Sequence, residues 1–167
     1  MKKLSFFIVI MLFAGFISAQ KFAYINTQAI LGSLPEVQQA NTNLETFRNQ
    51  LVNLGQMKLE ALQTKYKDLE AKQSKGELSP KQLDDESAKL KQDEEALAKF
   101  DQESQQRVLE KSEELLKPIR EKVQKAIDDV AKEGGYQYVF DASMGFILYA
   151  DTSTDIGELV KAKLSIK

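Results

Sequence analysis

The sequence predicts an α+β protein: a small β-sheet body with a long antiparallel α-helical coiled-coil hairpin as an arm. Three observations predict it. Two long polar segments with helical periodicity each begin at a proline, Pro35 and Pro80. The stretch 74-SKGELSPKQL-83 ends one helix and starts another. Short aromatic segments of period two lie only near the two ends of the chain.

The first 19 residues form a predicted cleaved signal peptide. Lys2 and Lys3 give a positive start, Leu4 to Ile17 is an apolar run, and Ile17-Ser18-Ala19 suits cleavage before Gln20. The run is short for a spanning helix, which needs roughly 20 apolar residues. Residues 20–167 then make one domain, with a body at 20–34 and 119–167 and an arm at 35–118. Export to the periplasm is expected, close to membrane surfaces but without a stable anchor.

Composition narrows the function. The chain has no cysteine, so an oxidising compartment brings neither disulfides nor thiol chemistry. It has no histidine, which removes the commonest general base and metal ligand. Without Lys2 and Lys3, the 23 basic residues become 21 against 25 acidic, a net charge of −4. A nucleic-acid partner is disfavoured, because no basic footprint is present.

The elements follow in order. Phe22 to Ile25 reads as a strand, and Asn26 as the cap of a short helix over Thr27 to Leu31, ended by Gly32. In the first long helix Val37, Ala40, Leu44, Phe47, Leu51 and Leu54 follow a heptad seam. Lys58 interrupts it, and Leu62, Tyr66 and Leu69 resume in a shifted register, a stutter. Gly76 suits the left-handed residue after a helix end. Ser79, Pro80 and Gln82 form an N-cap, a first helical turn and a capping box at the arm tip. The second helix should reach about Glu133, with Pro118 as a hinge at the arm base.

After Gly134-Gly135, Tyr136 to Phe140 reads as a strand with Tyr136, Tyr138 and Phe140 on one face. A turn at Asp141 to Gly145 and an apolar strand at Phe146 to Ala150 would complete a hairpin. Asp155 and Glu158 suggest a capping box for a last helix with Ile156, Leu159, Val160 and Leu164 inward. About three short strands make a poor core for one chain. Phe22, Tyr24, Tyr136, Tyr138, Phe140, Phe146 and Leu148 are therefore candidate contacts between copies, with open edges joined by closed symmetry.

No catalytic residue, cofactor site or metal site is assigned. Asp84-Asp85-Glu86 and Asp93-Glu94-Glu95 read as solvated helix faces, and no P-loop, nucleophile elbow or metal spacing is present. Asp128-Asp129 and Asp151 to Asp155 lack an EF-hand pattern.

Three stretches, 21-KFAYINTQAIL-31, 115-LLKPIREKVQKAIDDVAKEGGYQYVFDAS-143 and 148-LYADTSTDIGELVKAKL-164, resemble the Skp/OmpH family of periplasmic chaperones. The resemblance implies a homotrimer with a β-barrel body shared between subunits. Its three arms would enclose a cavity that holds unfolded outer-membrane β-barrel proteins, without ATP, until they are assembled. It implies no enzyme activity and no cofactor. The best-known members are strongly basic, whereas Glu60 to Lys111 here carries 13 acidic and 10 basic residues. Capture of clients by charge alone is therefore not expected, and apolar arm residues Leu59, Tyr66, Leu97 and Phe100 are the candidate client contacts. The alternative is a non-enzymatic coiled-coil tether between two folded envelope proteins. Such a tether should carry an aromatic or arginine anchor at its tip, and none lies between Ser74 and Leu83.

Overall fold

A computed structural model describes residues 20–166, so the expected signal peptide lies outside the described residues. The elements are β1 (Phe22–Ile25), α1 (Thr27–Ser33), α2 (Pro35–Ser74), α3 (Pro80–Gly134), β2 (Tyr138–Asp141), a 3-10 turn (Thr152–Thr154) and α4 (Gly157–Lys163). The described chain divides into two units, one of residues 20–33 with 122–166 and one of Leu34–Glu121.

In the first unit β1 and β2 pair in parallel, with Phe22 opposite Tyr138 and Ile25 opposite Asp141. Tyr24 also bridges Asp155 in parallel on its other side. Side chains alternate across a strand, so one face carries Ala23 and Ile25 into a core with Ile30, Ile127, Val130, Ile156 and Val160. The other face carries Phe22, Tyr138 and Phe140, each about half exposed.

The expected hairpin between residues 136–140 and 146–150 does not form. Residues 146–150 are not a strand, and β2 begins at Tyr138 instead of Tyr136. Local hydrogen bonds explain both differences. Ala142 N donates to Ile25 O at 2.8 Å, so the chain stays with β1 past the end of β2. Asp141 Oδ1 accepts from Ser143 N at 2.9 Å and turns the backbone there. Tyr136 N donates to Ala131 O at 2.9 Å and closes the end of α3, with Gly135 at φ +65°.

Two further boundaries differ. α1 runs through Gly32 to Ser33, and the stop is set by Pro35, which excludes Leu34 from the helical region; Leu34 has ψ 122°. Asp155 accepts from Gly157 N at 2.8 Å, but Glu158 pairs with Lys161 and leaves the reciprocal half of the expected capping box unmade.

The second unit is an antiparallel helical hairpin. Arg107 lies over the Phe47 ring, Phe100 faces Gly55, and Lys65 meets Asp93. Residue numbers thus fall along α3 as they rise along α2. The turn matches its sequence. Gly76 has φ +70°, Glu77 N reaches Lys72 O, and Gly76 N reaches Gln73 O. Ser79 and Gln82 cap each other, with Ser79 N to Gln82 Oε1 at 2.9 Å and Gln82 N to Ser79 Oγ at 3.4 Å.

The heptad expectation holds over the first half of α2. Val37, Leu44 and Phe47 are half-buried and Ala40 and Leu51 buried, whereas Leu54 is exposed. Beyond the exposed Lys58, Leu62 is buried and Leu69 half-buried, while Tyr66 is exposed. On α3, Leu83, Leu90 and Leu97 are half-buried or buried at seven-residue spacing, as a heptad seam requires. α3 continues through Pro118, whose missing N–H forgoes the usual bond to the carbonyl four residues back.

Candidate functional site

Both units leave apolar surface uncovered. On the hairpin, residues of α2 and α3 line an open groove of about 760 Å³. Of the four arm residues singled out in the sequence, Leu59, Leu97 and Phe100 line it together. Tyr66 does not. Its hydroxyl donates to Glu94 Oε1 at 2.8 Å, and that bond beside a carboxylate raises the phenol above its usual range.

Sequence reasoning missed Val52 and Leu109, which also line the groove and are 62% and 65% exposed. They escaped because they lie off the seam, where a lone apolar residue on a polar helix carries no periodic signal. Gly55 gives the groove its floor, since a Cβ there would stand 3.4 Å from the Phe100 ring. Lys58, the residue that interrupts the seam, places its Nζ 5.3 Å from the centre of that ring. Ser104 also lines the groove, and its Oγ is sealed from solvent without a partner. Thr42, Thr46, Thr64 and Ser74 in α2 instead donate to the carbonyl four residues back.

In the sheet unit, Phe22, Tyr138 and Phe140 form an exposed aromatic cluster with ring centres 5.7–6.3 Å apart. These separations fit favourable aromatic pairs. Phe22, Tyr24, Phe140, Ile147 and Tyr149 line a neighbouring groove of about 470 Å³. Phe146, Leu148 and Tyr149 are 81%, 96% and 87% exposed. Tyr136 stands apart from this cluster. Its ring lies beside Gly134 and under the Lys21 ammonium, 4.3 Å from the ring centre.

The acidic positions considered for a metal are used locally. Asp128 accepts from Gln124, and Asp129 pairs with Lys125, which lowers its carboxyl from the ordinary value. Asp151 accepts from Ser153 N, and that backbone bond lowers it in turn. Among the described residues no three potential ligands converge. Among the same residues no helix is long and apolar enough to cross a membrane.

The polar hairpin carries an apolar groove, and the sheet unit carries exposed aromatics. The sequence profile of a family described as outer membrane protein (OmpH-like) matches residues 21–164. The chain belongs to the OmpH-like family. No curated protein matches it by sequence. Among solved structures, it is similar to a candidate outer membrane chaperone (OmpH-like) from Caulobacter crescentus. That match has a TM-score of 0.73 and 19% identity, over 88% of this chain and 85% of the other. At that identity the likeness establishes the OmpH-like fold.

Proposed function

We propose that this OmpH-like chain is an ATP-independent periplasmic holdase. It binds unfolded outer-membrane β-barrel proteins in a cavity between helical arms and prevents their aggregation before membrane assembly. The observation that carries the reading is the apolar groove on an otherwise polar hairpin, with Val52 and Leu109 left open. A chain-holding surface needs many weak apolar contacts that exchange with solvent, and a shallow groove offers those where a closed pocket does not. The chemistry of this reading is binding alone, with no catalytic step.

The working form in this reading is a homotrimer. Its support is the exposed run Phe146 to Tyr149 together with the Phe22, Tyr138 and Phe140 face. A soluble monomer rarely carries so contiguous an apolar surface, and neighbouring copies would cover it with a shared β-barrel. Pro118 is the hinge in this scheme, and the Gly76, Ser79 and Pro80 turn is the arm tip.

The test is native mass spectrometry of the mature chain, alone and with a urea-unfolded outer-membrane barrel diluted into it, with light scattering in parallel. The expected result is a three-chain species that takes up one barrel and suppresses scattering. A trimer that ignores the barrel moves the reading to an envelope tether between folded partners. A monomer or dimer overturns the shared body.

A further inference from the structure

The hairpin groove carries charge as well as apolar surface, and the charges lie apart along it. Arg48 and Asp101 both line the groove. Asp101 Oδ1 stands 3.9 Å from where a Cβ on Gly55 would lie, which fixes its place along α2. Seven residues of α2 separate Arg48 from Gly55, a rise of roughly 10 Å. Neither Arg48 nor Asp101 makes a side-chain hydrogen bond or ion pair among the described residues. Many other charges on the hairpin are matched within it: Lys65 with Asp93, Lys72 with Asp68, Lys89 with Glu86, Lys99 with Glu103 and Lys111 with Glu114. The groove thus presents an unpaired cation, an apolar strip with Val52 and Leu109, and an unpaired anion.

We propose that the groove selects extended segments of unfolded chain in which an apolar residue is bracketed by charges of opposite sign. The argument rests on the holdase reading and refines its client chemistry. In an extended chain every second side chain shares a face, and the rise is about 3.3 Å per residue. Residues i, i+2 and i+4 therefore present an acid, an apolar side chain and a base over roughly 13 Å. The long Arg48 side chain covers the difference from the 10 Å of helix rise. The client carboxylate meets Arg48, its ammonium meets Asp101, and the apolar residue lies between Val52 and Leu109. A segment with two like charges brings one attraction and one repulsion, so it gains nothing net from the groove ends.

Three fluorescent peptides of equal length test this by anisotropy on the intact protein. They carry Asp-Leu-Lys, Asp-Leu-Asp or Lys-Leu-Lys at i, i+2 and i+4, with neutral spacers. Exposed ion pairs are weak, so the mixed peptide is expected to bind about threefold to tenfold tighter than either like-charged one. Arg48→Glu should transfer the preference to Lys-Leu-Lys. Val52→Ser with Leu109→Ser should weaken all three by about tenfold, because the apolar contact is common to them. Equal affinity for the three peptides, or an unchanged ranking in Arg48→Glu, overturns the proposal. Suppression of barrel aggregation by the unmodified protein is measured alongside. If suppression holds while the peptides are not ranked, the groove inference fails and the holdase reading stands. If suppression itself is absent, the holdase reading fails and the inference with it.

Discussion

Asp141 shows how one exposed carboxylate ties distant segments together. Its Oδ2 accepts from Thr27 Oγ1 at 2.6 Å, and its Oδ1 accepts from Thr27 N and Ser143 N. It thereby caps α1 from the far end of the sequence, while Asn26 Oδ1 caps the same helix locally at Ala29 N. Burial pushes the carboxyl up, and the bonds from Thr27 and Ser143 outweigh it, so its folded pKa is lowered. A depressed acid stabilises the fold above its unfolded pKa, about 3.9. That contribution is lost as pH falls through the folded value. Asp141→Asn is expected to cost about 1 kcal/mol at pH 7, with the difference from the unmodified protein shrinking below about pH 4. Urea unfolding at both pH values measures it. Ser165 offers the opposite sign. It holds φ +59° after α4, a left-handed position that favours glycine. Ser165→Gly should raise stability by about 0.5–1 kcal/mol in the same assay.

At the scale of elements, the hairpin turn was legible in detail and the sheet was not. Gly76, Ser79, Pro80 and Gln82 act within a few residues of one another, so their chemistry is local and readable. Ser79→Ala should remove about 1 kcal/mol of helix capping. The loss should appear as faster amide exchange in the first turns of α3 and little change in global unfolding, because few contacts tie the tip to the rest. The strand pairing, by contrast, depends on β1, and both long helices lie between β1 and β2 in the sequence. An alternating aromatic pattern at 136–150 therefore looked like a local hairpin, although the partner of β2 was Phe22–Ile25. The groove was half legible. Leu59, Leu97 and Phe100 were visible near the seam. Val52 and Leu109 were not, because their significance arises only when α2 and α3 face each other.

For the molecule as a whole, the OmpH-like fold follows from the match over residues 21–164. If the proposed trimer buries Leu148 between copies, Leu148→Asp is expected to reduce it to monomers in native mass spectrometry, because a carboxylate buried there is costly. Leu148 is 96% exposed within one chain, so helix content by circular dichroism should not change. Loss of helix together with the trimer would mean that the residue stabilises the single chain.

The parallel pairing of β1 with β2 has a consequence in time. Synthesis delivers Phe22–Ile25 first, and its partner Tyr138–Asp141 follows only after both long helices have emerged. The helices close short-range contacts and can form early. The sheet must wait for a contact of large sequence separation, which is slow to find. For that interval the nascent chain displays an unpaired aromatic strand, the same kind of surface that the finished protein is proposed to shelter in others.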